Sequence, residues 1–194
     1  MLQVREDDAT AFEELMLRYQ GRVLSVLRHV VGNRDLAEDL TQDVFLRVFR
    51  ARKTYTPGSK FSTWLFTIAN NVALNAIRRQ KRKPEYQFIP VGESSTGMPT
   101  IDQTVPENSS MMPTRQLDNQ ELRETVRIAV DTLSENQRMA ILLNKFEAMN
   151  YAEIAQVMKL TPQAVKSLLC RARTNLRVIL EPYIELGKGL GVRD

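Results

Sequence analysis

Side chains able to make or break bonds are scarce in this chain. Of its 194 residues, one is histidine (His29) and one is cysteine (Cys170). A lone imidazole and a lone thiol form no nucleophile–base pair and no His/Cys metal site of ordinary spacing. No glycine-rich phosphate loop is present. No catalytic residue, metal or cofactor is therefore expected, and the side chains left for chemistry are ones that bind: amides, guanidinium groups and aromatic rings. They are densest in FSTWLFTIANNVALNAIRRQKRK, Phe61 to Lys83. Trp64, Thr67, Asn71, Asn75 and Arg78 recur at intervals of three and four, one stripe of a continuous helix. Ile68, Ala69, Val72, Ala73, Ala76 and Ile77 cover the remaining faces. Asparagine competes for backbone hydrogen bonds, so Asn70-Asn71 also reads as a break between two helices. Either way, amides and an arginine lie beside an aromatic ring. Amides and arginine read base edges, aromatic faces stack on unpaired bases, and Arg78, Arg79, Lys81, Arg82 and Lys83 would hold phosphates. The plainer alternative places Trp64 in the core, satisfies Asn71 at a helix end and solvates the basic run.

A second constellation lies near the C-terminus. Ser134 to Gln137 (SENQ) and Asn150 to Glu153 (NYAE) have the form of capping boxes. Thr161-Pro162 sets a capping hydroxyl before a proline at a first helical position. The punctuation predicts a short helix, YAEIAQVM, a turn, KLT, and a longer helix opening PQAVKSLLCRARTNLRVIL. Two helices joined by so tight a turn make a helix-turn-helix. Ile154, Ala155 and Met158 would face its core from the first helix, and Val165, Leu168 or Leu169, and Leu176 from the second. Gln163, Lys166, Ser167, Cys170, Arg171, Arg173 and Arg177 are then left at or near the other faces, a polar and basic set suited to the DNA major groove.

A third pattern is acidic. In DLAEDLTQDVFLRVF, Asp35 to Phe49, a helical wheel gathers Leu36, Ala37, Leu40, Val44 and Val48 into an apolar arc. Asp39, Gln42 and Asp43 share another arc, with Leu46 following on that side. On spacing alone this is a solvated helix side, the commoner outcome, or a protein-docking surface.

The elements that must position these groups are helices. Hydrophobic residues make up 43% and charged residues 26%, enough to build a core. No stretch alternates apolar and polar residues over a strand's length. Net charge is +4 with pI about 9.3, mildly basic, so placement of charge matters more than its sum. The segment KPEYQFIPVGESSTGMPTIDQTVPENSSMMPTR collects five prolines and shows no period; it reads as a linker. The expected architecture is all-α: two small helical domains, residues 1–83 and 116–194, joined by a flexible linker over 84–115. The tail after about Pro182 is longer than that fold requires. The single cysteine fits a reduced, cytoplasmic compartment. The first residues show no secretory signal, and no apolar run reaches membrane-spanning length.

Four elements together, AFEELMLRYQGRV, DLTQDVFLRVF, FSTWLFTIANNVALNAIRR and LSENQRMAILLNKFEAMNYAEIAQVMKLTPQAVKSLLCRARTNLR, resemble bacterial RNA polymerase sigma factors of the extracytoplasmic-function (ECF) class. The resemblance runs from about Ala11 to about Leu180. It implies a factor that binds core polymerase and directs promoter-specific initiation, with no enzymatic activity of its own. It implies that Asp39, Gln42, Asp43 and Leu46 dock on the β′ clamp coiled coil, and that the second domain meets the β flap. Phe61, Trp64, Asn71 and Asn75 match the segment that opens and reads the −10 element, Asn71 lining a pocket for a flipped base. Arg78, Arg79 and Arg82 would follow the DNA backbone. Lys166, Ser167, Cys170, Arg171 and Arg173 match the helix facing the −35 element; Cys170 departs from the aromatic residue some relatives carry there. An anti-sigma protein is an implied partner. A stand-alone helix-turn-helix regulator, binding duplex DNA without polymerase, is the alternative, and the acidic arc discriminates the two.

Overall fold

A computed structural model of the chain describes residues 1–58, 60–82 and 124–188, the segment 183–188 for its backbone only. The expected linker over 84–115 lies outside the described residues. Every described element is helical: α1 (Leu2–Arg5), α2 (Ala9–Val31), α3 (Arg34–Arg50), a 3-10 turn (Arg52–Thr54), α4 (Phe61–Arg82), α5 (124–131), α6 (Glu135–Lys145), α7 (Tyr151–Met158) and α8 (Pro162–Lys188).

The helix boundaries follow local chemistry. Asp8 caps α2 by accepting from the Ala11 amide at 3.0 Å, and α2 stops at Gly32, whose φ of 70° is the left-handed conformation glycine adopts without strain. Asn33 then caps α3 through the Leu36 amide at 2.8 Å. Both expected capping boxes form, Ser134 with Gln137 and Asn150 with Glu153. Thr161 accepts from the Ala164 amide at 3.2 Å, and Pro162 is the first residue of α8. One of the two readings left open for α4 is excluded. The Asn70-Asn71 pair does not break the helix: α4 runs unbroken through both, because each residue is held by packing or by the flanking turns rather than by propensity alone. Pro182 lies inside α8, which continues to Lys188.

In the N-terminal module α2, α3 and α4 pack on one another. Val23, Leu27, Val44, Val48, Leu65 and Phe66 are buried between them, each contributing roughly 1.5–3 kcal/mol relative to exposure. In the C-terminal module α6 and α7 both pack on α8. Its centre holds Leu142, Leu143, Ile154, Val165 and Leu169, and Leu168 sits at its edge. Lys159, in the left-handed conformation at φ 55°, turns the chain between α7 and α8. The two modules touch: α4 lies against α7 and α2 against α6, and one apolar core runs through both.

Candidate nucleic-acid interface

The first candidate face is built on α4. Its buried side, Leu65, Phe66, Ala69, Val72, Ala73 and Ile77, fixes the helix against the core and turns the predicted stripe outward. Phe61 and Trp64 are half-buried, Asn71 is half-buried, and Asn75, Arg78, Arg79 and Arg82 are exposed. Trp64 is held in an aromatic cluster, 5.2 Å from the Tyr55 ring and 6.0 Å from Phe61, while Phe61 is 5.2 Å from Tyr19. These tilted and edge-on pairs orient the indole without enclosing it. Asn71 and Asn75 have no hydrogen-bond partner among the described residues. Their amides are therefore free to meet a ligand. Asn70 is different: it is 3% exposed, and its Nδ2 donates to the Val157 carbonyl of α7 at 3.4 Å. Sequence spacing left Asn70 off the stripe but gave no sign of its distant partner. Lys81, one of the expected phosphate holders, pairs with Glu135 of α6 at 2.8 Å.

The second face is the N-terminal half of α8. Val165, Leu169 and Ala172 are buried, which leaves Gln163, Lys166, Cys170, Arg171 and Arg173 exposed and Ser167 half-buried. Ser167 donates its hydroxyl to the Gln163 carbonyl at 3.1 Å. Arg173 donates to the Asn144 side chain at 3.2 Å, so α6 fixes its direction. An exposed helix N-terminus carrying Lys and Arg can meet both base edges and phosphate.

The third face is on α3. Asp39 and Gln42 are exposed, Asp43 is half-buried, and Leu46 is 55% exposed. Asp43 does not stand as a free charge: Arg47 forks onto it with contacts of 2.9 Å, and Asp43 in turn raises the Arg47 pKa through that hydrogen bond. Phe49, three residues beyond Leu46, is 40% exposed; its ring is 5.1 Å from Phe12 and 4.0 Å from the Arg52 guanidinium. The sequence reading missed Phe49, although its three-residue spacing from Leu46 was a usable signal. On α3 the predicted apolar arc packs inward, joined by Thr41 and Phe45.

No group of three or more His, Cys, Asp or Glu able to hold a metal occurs among the described residues. No described helix is long and apolar enough to cross a membrane.

Comparison with known proteins agrees with this arrangement. Residues 15–83 match Sigma-70 region 2, and residues 123–176 match Sigma-70 region 4. The chain is 32% identical over 184 residues to the ECF RNA polymerase sigma-E factor of Escherichia coli K12, spanning 93% of this chain and 92% of that protein. It is 30% identical over 181 residues to the RNA polymerase sigma-H factor of Pseudomonas aeruginosa, with coverage of 93% and 92%. The fold is shared with the sigma factor RpoE of Bartonella quintana, solved with the anti-sigma factor NepR (TM-score 0.68, 22% identity, 89% of this chain and 98% of that one). It is also shared with CnrH, solved with the cytosolic domain of CnrY (TM-score 0.62, 21% identity, 93% and 94%). The chain belongs to the ECF class of RNA polymerase sigma factors, the proteins that give RNA polymerase promoter-specific initiation.

Proposed function

We infer that the three faces divide the work of initiation between them. Residues 1–83 form the polymerase-docking and −10-reading domain, 84–115 the linker, and 116–194 the −35-reading domain. Asp39, Gln42, Asp43 and Leu46 dock on the β′ clamp coiled coil; the second domain contacts the β flap. Lys166, Ser167, Cys170, Arg171 and Arg173 read the −35 duplex in its major groove. Phe61, Trp64, Asn71 and Asn75 receive the −10 strand as it unpairs, and Arg78, Arg79 and Arg82 follow its phosphates.

The observation that carries this reading is the state of the α4 amides. The Asn71 and Asn75 side chains lack hydrogen-bond partners among the described residues and share a helix with a partly exposed indole whose ring is held by its neighbours. An amide without an internal partner, beside an aromatic edge and three exposed arginines, fits a base that has left the duplex. Flipping that base costs a few kcal/mol, and stacking at about 1–3 kcal/mol per base together with amide hydrogen bonds offsets it. No covalent step is involved, and the protein acts as a factor rather than an enzyme. It works in the cytoplasm, and an anti-sigma protein that covers the DNA-reading faces is a further partner.

Run-off transcription with core polymerase, on promoters from the chain's own genome, tests the reading. Specific starts are expected. Asn71→Ala is expected to lower open-complex formation while core binding persists. A folded chain that directs no specific start on any promoter refutes it.

A further inference from the structure

We propose that Asp7 is a positioning residue for the α4 face, acting through the 3-10 turn Arg52–Thr54 and the Tyr55 ring on Trp64. The inference deepens the promoter reading above and rests on it.

The Tyr55 ring meets Trp64 edge-on at 5.2 Å and Phe61 at 6.2 Å. Tyr55 is buried and follows directly on the 3-10 turn. The seat of that turn therefore decides where the Tyr55 ring stands, and an edge-on pair depends on both distance and angle. Bonds inside the turn are local. The Thr54 amide and hydroxyl both donate to the Ala51 carbonyl, at 2.9 and 2.7 Å. Arg52 Nη1 donates to the Phe49 carbonyl at 2.8 Å. Such bonds carry the turn on from α3 but do not tie it to the far side of the module.

Among the described residues, the polar ties that reach this turn from a distant part of the chain start near the N-terminus. Asp7 accepts from Arg52 Nε at 2.6 Å and from Lys53 Nζ at 2.7 Å, one carboxylate oxygen to each. Arg5 Nη1 donates to the Tyr55 carbonyl at 3.4 Å. The base for these groups is α1, which packs on α2 and on the turn with Val4 buried.

The backbone at Asp7 points the same way. Its φ of 67° lies in the left-handed region, which glycine enters without strain. A connection between α1 and α2 needs no more than glycine there, so what aspartate adds is the carboxylate. The Lys53 hydrogen bond, and then that of Arg52, hold this carboxyl below its ordinary range, so it is ionised at neutral pH. An exposed ion pair contributes little to stability. Two charge-assisted bonds converging on one carboxylate do fix direction, and direction is what an aromatic edge requires.

The chain has one tryptophan, so the intrinsic fluorescence of the full free chain reads the surroundings of Trp64 directly. Asp7→Gly keeps the left-handed turn without strain and removes the carboxylate. Asp7→Asn keeps the shape and the tolerance for that backbone and removes the charge. Both are expected to move Trp64 emission to longer wavelength and to raise its quenching by acrylamide, with helicity by circular dichroism unchanged. Glu14→Gln, which breaks the exposed Arg18 pair on the same module, should leave both readings at wild-type values. Wild-type emission and quenching in a folded Asp7→Gly overturn the proposal. Open-complex formation with core polymerase, on a promoter that the wild type opens, is the second readout. Asp7→Gly is expected to slow it about fivefold, the lower end of one base's stacking energy, with the half-saturating factor concentration unchanged. A shifted Trp64 with a wild-type opening rate would overturn the positioning role. So would a raised half-saturating concentration at unchanged rate, which would put Asp7 in polymerase docking. If the folded wild type opens no promoter, the promoter reading falls, and fluorescence still decides whether Asp7 places Trp64.

Discussion

Replacing Asn70 tests the buried member of two neighbouring amides that do different work. In Asn70→Ala the donor to the Val157 carbonyl is lost. That bond, at 3.4 Å, is at the long end and contributes about 1 kcal/mol. Val157 lies in the last turn of α7, where intrahelical donors run out, so its carbonyl is left buried and unpaired at about 1–3 kcal/mol. Alanine's better helix propensity returns up to about 0.7 kcal/mol. The net expectation is a loss of about 1–2 kcal/mol. Asn70→Asp keeps the shape and removes the donor, setting a carboxylate against a carbonyl oxygen in a site 3% exposed. A loss of about 3 kcal/mol or more is expected at neutral pH, partly recovered in acid as the buried carboxyl protonates. Urea denaturation monitored by circular dichroism measures both. Asn71→Ala is the control: within about 0.5 kcal/mol of wild type in stability, and defective in promoter opening. An Asn70→Asp variant as stable as wild type at neutral pH refutes the buried amide–carbonyl contact and with it this division of labour between the neighbours.

Other consequences are open to measurement. Asp39→Arg combined with Asp43→Arg should abolish binding to core polymerase in a pull-down while −35 duplex binding by α8 persists; equal loss of both would show that α3 is structural. Leu169→Ala removes a fully buried side chain from the centre of the helix-turn-helix, and a loss of about 2–5 kcal/mol is expected by denaturation, with −35 affinity falling in parallel. The Lys60 ion pair, and then the Asn150 backbone amide, hold the Glu153 carboxyl below its ordinary range. Its contribution is thus present above the unfolded carboxylate pKa and lost as pH falls through the folded one. Burial instead raises Glu147 against the opposing pull of Arg22, so its contribution is present below the unfolded pKa and lost as pH rises through the folded one. Acid titrations of Glu153→Gln and Glu147→Gln should therefore lose opposite slopes.

Much of this molecule was legible because its signals are local. The capping boxes at Ser134 and Asn150, and the Thr161-Pro162 start, are complete within four residues. They fixed the helix-turn-helix before any tertiary contact was known. The inward arc of α3 and the outward stripe of α4 follow from 3.6-residue periodicity. What stayed hidden depends on distant partners. The donor at Asn70 and the acceptor at Val157 are 87 residues apart, and Arg22 and Glu147 are 125 apart. A wheel places Asn70 and Asn71 about 100° apart but cannot say which one meets another module.

The contact of α4 with α7 also explains why α4 carries three asparagines despite their poor helix propensity. Asn71 and Asn75 face outward, where an amide is useful only if a ligand arrives. Asn70 faces inward. A leucine there would be held by burial alone and would leave the Val157 carbonyl without its donor. The amide is satisfied there by the Val157 carbonyl. The Arg22–Glu147 pair does the same between α2 and the end of α6, with the Glu147 side chain 2% exposed. Polar ties of this kind set the register in which the two modules meet.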